Sequence, residues 1–235
     1  MYPPKYLPIL VFCLLISCKN TNKTTKSSMI SKSKNEFISN LKTNCSCEVD
    51  SIKNENTTTC DTTILENKSK LYYQFNCDSI WLTLENKLGE KKIIYSEKEN
   101  FDNFFQIQWR LKYVLKKEYR KYLLFRSSCP ANGPCNFVLI DKSTGKVKKE
   151  FGELIYDHDK KLFYDFVLYF SKTHNEIIVN FIDSDRQIKT DINKQDFNSS
   201  VPEYQFNKIY YYNDTITLIY NDNKKIIIDT KKYIH

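Results

Sequence analysis

Glycine is scarce in this chain, with four residues among 235, and what it would build is missing too. A dinucleotide-binding turn needs three glycines in a fixed pattern and a P-loop needs two ahead of Lys-Ser/Thr; neither pattern occurs. No Gly-x-Ser-x-Gly elbow is present, nor a Ser-x-x-Lys motif with its partner motifs, so no familiar nucleophile site is announced. Histidine is limited to His158, His174 and His235, none spaced to a cysteine as zinc ligands are. The chain also lacks any apolar run near the roughly 20 residues that cross a bilayer core. Acidic residues are absent before Glu36.

That last absence locates the net charge. Of the formal +8, six charges are Lys5, Lys19, Lys23, Lys26, Lys32 and Lys34, leaving +2 for residues 35–235. A basic total alone would suggest nucleic acid, but a nearly balanced body does not, and no nucleic-acid partner is expected.

The N-terminus has the plan of an export signal. Lys5 supplies a cationic start, residues 7–16 read Leu-Pro-Ile-Leu-Val-Phe-Cys-Leu-Leu-Ile, and small Ser17 precedes Cys18. Leu15-Ile16-Ser17-Cys18 resembles the lipobox of bacterial lipoproteins. The resemblance implies that residues 1–17 are removed and that Cys18 carries lipid and becomes the new N-terminus. It also implies membrane attachment through acyl chains, each buried methylene contributing about 0.8 kcal/mol. Lys19 is not the Asp that signals inner-membrane retention in such proteins, so the expected address is the outer membrane, on its periplasmic face or the cell surface. The alternative is an ordinary secretory signal with Cys18 incidental. Residues 18–33, mostly Lys, Asn, Thr and Ser, read as a flexible tether.

The remainder, 34–235, reads as a single mainly β domain. Ser33-Lys34-Asn35-Glu36 has the form of a capping box, which predicts one short N-terminal helix over about 34–42. Beyond residue 62 come short runs rich in Ile, Val, Tyr, Phe and Thr, broken by Asn, Asp, Gly and Lys. They predict strands at 62–66, 70–75, 80–85, 92–95, 107–115, 122–127, 136–140, 146–149, 163–170, 176–182, 187–191, 208–212, 215–220 and 225–229. Over 107–113, Ile107, Trp109, Leu111 and Tyr113 alternate with Gln108, Arg110 and Lys112, although a helix competes for that stretch.

The fold class is therefore all-β, an antiparallel meander. Segments around Val138, Ile178 and Leu218 repeat the form strand, Asp/Asn turn, strand at intervals of 40 residues. That period is the length of a four-stranded propeller blade, without a Gly-His or Trp-Asp signature. A propeller-like sheet array and a β-sandwich or barrel both fit.

Cys13 leaves with the signal and Cys18 is the lipidation site, so Cys45, Cys47, Cys60, Cys77, Cys129 and Cys135 remain. An even count in an exported chain points to disulfides. Cys129-Pro-Ala-Asn-Gly-Pro-Cys135 turns sharply between strands and predicts the first bridge. Cys45 and Cys47, two apart in an extended segment, point the same way, so Cys60 and Cys77 are their expected partners. No metal or cofactor is expected.

Tyr156-Asp157-His158-Asp159, Thr173-His174-Asn175-Glu176 and Asp183-Ser184-Asp185 cluster acids and imidazoles, but each falls where a hairpin turn recruits such residues for backbone reasons. Asp183-Ser184-Asp185 lacks the glycine and distal Glu of a calcium loop. The 17 tyrosines and 15 phenylalanines, concentrated in stretches such as 71–75 and 209–212, suit sheet cores and equally suit sugar or protein binding. Two readings follow: a non-enzymatic binding module for an envelope protein or glycan, and a lipid-anchored hydrolase acting on glycans through two carboxyls about 5 to 10 Å apart.

Overall fold

A computed structural model describes residues 60–76, 79–98, 113–130, 133–157, 163–193 and 199–231. The expected signal peptide, tether, N-terminal helix, Cys18, Cys45, Cys47, Cys77 and the alternating stretch 107–112 lie outside the described residues.

Among the described residues, fourteen strands form four antiparallel sheets taken in chain order. The first holds β1 (Thr63–Ile64), β2 (Lys70–Phe75), β3 (Ser79–Glu85) and β4 (Lys91–Lys98). The second holds β5 (Val114–Glu118), β6 (Tyr122–Ser128), β7 (Asn136–Asp141) and β8 (Val147–Phe151). The third holds β9 (Phe166–Phe170), β10 (Glu176–Phe181) and β11 (Gln187–Asp191), with Ile155 bridging to Leu168 on the open edge of β9. The fourth holds β12 (Phe206–Tyr212), β13 (Thr215–Tyr220) and β14 (Lys225–Asp229). A two-layer sandwich would show two sheets and a barrel one closed sheet; four meanders in series are the propeller-like array.

Strand period 2 explains how the series is held together. In β6 and β7, Leu123 and Phe125 pair with Ile140 and Val138, and this face joins Leu71, Leu82, Leu84 and Ile94 of the first sheet in one core. The intervening Leu124, with Phe137 and Leu139, meets Val167 of the third sheet in a second core. The other face of the third sheet, Phe166, Leu168, Ile177 and Val179, packs on Ile209, Ile216, Leu218 and Ile228 of the fourth. A middle sheet is thus apolar on both faces, which is why β6 and β7 read as continuous apolar runs.

Polar ties repeat the order. Glu118 accepts the Glu66 amide at 3.0 Å, Lys149 donates to Asn180 Oδ1 at 2.5 Å, and Arg186 donates to the Thr230 carbonyl at 3.0 Å. Buried polar atoms in the first sheet also find partners: Trp81 Nε1 and Thr83 Oγ1 both donate to Gln74 Oε1, each at 3.0 Å.

The echo at Val138, Ile178 and Leu218 marks β7, β10 and β13, the strand before the last hairpin of successive sheets. Each hairpin turns through a residue of positive φ: Gly145 at +68°, Asp185 at +55° and Asn223 at +68°. Glycine is needed at the first, because a Cβ on Gly145 would lie 3.2 Å from both Ile94 Cγ2 and Lys92 Cβ of the neighbouring sheet. Asn213 and Asp214, at φ +47° and +57°, make the two-residue turn between β12 and β13.

Cys129 and Cys135 are joined, as the spacing predicts. Cys60 is also disulfide-bonded, and its partner lies outside the described residues. Replacing Cys129 and Cys135 together by Ser is expected to lower unfolding free energy by about 2 kcal/mol, the closure entropy of so short a loop. Urea denaturation of both forms measures it, and equal midpoints would contradict the assignment.

Candidate functional site

The four hairpin connections at one end of the first two sheets converge on a cleft of about 670 Å³. They are the turns after β1, β3, β5 and β7, which alternation along a meander places at the same end. Among the described residues the lining includes Lys87, Arg120, Lys121 and Lys142, with Asp141 as its one carboxylate.

Local chemistry fixes this mouth. Asp141 Oδ1 accepts the amides of Ser143 and Thr144, both at 2.8 Å, so its charge is absorbed by its own turn. Those bonds, with the Ser143 and Thr144 hydroxyls, hold its carboxyl below the usual range against the opposing effect of burial. Asn86 Oδ1 accepts the amides of Leu88 and Glu90 and shapes the turn after β3. Lys142 is almost wholly covered and pairs with Glu118 at 2.7 Å, the same carboxylate that takes the Glu66 amide. Lys92 donates to the Ser143 carbonyl, closing the mouth from the other sheet. Leu88, 77% exposed, stands on the rim.

A second cluster surrounds the disulfide. Glu153, 3% exposed, accepts the Cys135 amide, the Leu154 amide at 3.3 Å and the Tyr204 hydroxyl at 3.4 Å. Burial pushes its carboxyl up to about 7, with the nearby Glu203 adding to the rise and the hydrogen bonds opposing it. Glu203 is also buried, in the 3-10 turn Pro202–Gln205, and burial raises its carboxyl against the pull of His174. A raised carboxyl beside a second one is the arrangement a glycoside hydrolase uses. Here, however, the Glu153 oxygens are committed to two backbone amides and a hydroxyl, so the group anchors the disulfide loop.

A third surface is the outer face of the fourth sheet, where Tyr210, Thr217 and Ile227 lie across the three strands. Tyr212, on the same face, is 76% exposed and Ile227 67%.

Of the residues singled out from sequence, Cys129 and Cys135 come together beside Glu153. His174 and Asp185 are left-handed turn residues, as hairpin chemistry implies. The consecutive tyrosines of β12 divide between faces, with Tyr210 and Tyr212 outward and Tyr211 packed against the core. Among the described residues no group of His, Cys, Asp or Glu is arranged to hold a metal ion, and no helix is long and apolar enough to cross a membrane. Sequence patterning does not single out Glu153 or the cleft cations. A lone carboxylate between Phe151 and Leu154-Ile155 is the signal that could have found the first.

No protein-family description matches the chain and no curated protein does. Among solved structures, it is similar at TM-score 0.33 and 10% identity to PorZ, a surface component of the type-IX secretion system of Porphyromonas gingivalis, covering 74% of this chain and 21% of that one. Hsv2 of Kluyveromyces lactis matches at TM-score 0.24 and 11% identity, over 73% of this chain and 49% of that one. The chain thus spans about a fifth of PorZ and half of Hsv2, and at these scores neither likeness informs its function.

Proposed function

We propose that the chain is an exported, lipid-anchored binding module of the bacterial cell envelope, held at the outer membrane through Cys18. Its recognition site is the cleft between the first two sheets, and its partner an envelope glycan or protein. The convergence of four separate turns on one cleft carries this reading, because binding residues gather on loops that a rigid scaffold positions. The lipobox at 15–18 and the near-neutral body support the address. The hydrolase reading would rest on Glu153 and Glu203; both are buried, and the Glu153 oxygens are committed to the Cys135 and Leu154 amides and the Tyr204 hydroxyl, which weighs against it.

One experiment on intact cells addresses both parts. Cys18→Ser is expected to abolish fatty-acid labelling of the protein, and undiminished labelling would remove the anchor. A photoreactive residue at Leu88, on the cleft rim, is expected to crosslink a discrete partner. The same residue at Ile64, also exposed, serves as the comparison. No crosslink from Leu88 across growth conditions would remove the recognition role.

A further inference from the structure

We propose that the cleft between the first and second sheets takes an anionic ligand, one carrying at least two phosphate or carboxylate groups. The inference deepens the recognition role above and rests on it for the site, but stands on a separate observation, the charge left unpaired there.

Lys87 comes from the first sheet and Arg120 and Lys121 from the second, and all three are exposed at the cleft. Among the described residues none of the three forms an ion pair, whereas several cations elsewhere do. Lys70 meets Glu85 at 3.0 Å, Lys117 meets Asp165 at 3.1 Å and Lys142 meets Glu118 at 2.7 Å. What sets these three apart is that they face one opening whose described lining holds a single carboxylate, Asp141.

The carboxylate that lines the cleft and the one paired with Lys142 are already engaged. Asp141 is bound by the amides and hydroxyls of its own turn, and Glu118 by Lys142 and the Glu66 amide. Glu90, on the turn after β3, takes the Asn86 amide at 2.7 Å and does not line the cleft. An incoming anion therefore meets cations without displacing a protein carboxylate, and no existing ion pair has to break. Arginine adds a planar fork that matches the oxygens of carboxylate or phosphate, while lysine ammoniums contribute point charge. The volume of about 670 Å³ exceeds what a single inorganic ion fills and falls within the range of small-ligand sites, roughly 300 to 1,000 Å³. Cations held on two different sheets would span a ligand with separated charges.

The test titrates the purified full-length protein in detergent, by calorimetry, with sodium pyrophosphate, with citrate and with the neutral sugar maltohexaose. Saturable binding of pyrophosphate, citrate or both is expected, and the preferred arm identifies phosphate or carboxylate as the recognised group. Lys87→Gln, Arg120→Gln and Lys121→Gln combined should weaken it at least tenfold. Removal of two cations from the outer face of the fourth sheet, Lys208→Gln with Lys225→Gln, should leave it within twofold. Should the triple variant fail to fold, Arg120→Gln alone is expected to weaken binding measurably. Binding of neither anion, or equal loss in both sets of variants, overturns the proposal. If only maltohexaose binds, or if Leu88 crosslinks a partner while neither anion binds, the recognition role survives and the anionic ligand falls.

Discussion

Glu153→Gln is expected to remove most of a stability loss that the parent protein suffers between about pH 4.5 and pH 7. In the folded chain the Glu153 carboxyl keeps its proton up to about 7, because burial disfavours the charged form; its ordinary value is 4.5. As pH rises between those values the unfolded chain releases the proton while the folded chain retains it. Stability is therefore full below the lower value, falls across the window and levels off above the upper one. The difference corresponds to about 3 kcal/mol, a large share of the 5 to 15 kcal/mol typical of a domain. Glutamine carries no titrating proton, so between pH 4.5 and pH 8 the variant should lose about 3 kcal/mol less than the parent. Glu203, raised by the same cause, leaves a residual slope of the same sign. Urea unfolding at the two pH values measures the effect; parallel losses in both proteins would acquit Glu153.

Phe125→Ala is expected to cost about 3 to 5 kcal/mol, enough to leave most domains of this size marginal. Phe125 is wholly buried at the centre of β6, on the face shared with the first sheet, with its ring 5.6 Å from that of Tyr113. Truncation leaves a cavity between two sheets that other contacts hold in place, so little collapse can fill it. Tyr212→Ala, at an exposed position of the same β type, should change stability by no more than about 0.5 kcal/mol. Thermal and urea denaturation compare the two. Similar costs would mean that the cores between sheets do not carry the fold.

Much of the fold was readable from the chain. Strands β2, β11, β13 and β14 begin and end where the patterning places them, because each is bounded by Asn, Asp, Lys or Gly turns that interrupt the alternation. The expected strand at 163–170 starts instead at Phe166. Phe163 and Tyr164 are aromatic like the strand that follows, but they pack against the cores from a loop, and composition does not separate the two. Likewise β1 is two residues long where five were expected, since Lys68 at φ +63° turns the chain back at once. The choice between an array and a sandwich was not readable, because local alternation says which face is buried and not which sheet covers it.

The site was less legible than the fold. The Cys129–Cys135 bridge follows from a short Pro- and Gly-bearing loop, a local property. Lys87, Arg120 and Lys121 look in sequence like any solvated cations, and only the register of two sheets brings them to one cleft. Whether a cation lacks a partner is a three-dimensional fact, and the 36 lysines and arginines of the chain offer no way to tell three of them from the rest.

The series arrangement has a consequence for how such a chain can change over evolutionary time. Among the described residues every strand ladder closes among neighbours in sequence, and no strand pairing spans two sheets. Residues inserted or deleted between sheets therefore alter no ladder. The interval from Leu82 to Val138 is longer than the 40-residue step that follows it, yet both sheets keep their four strands in order. Length variation among descendants of this chain should gather in those joints, while the hairpins that frame the cleft keep their spacing, because their residue count sets the mouth itself.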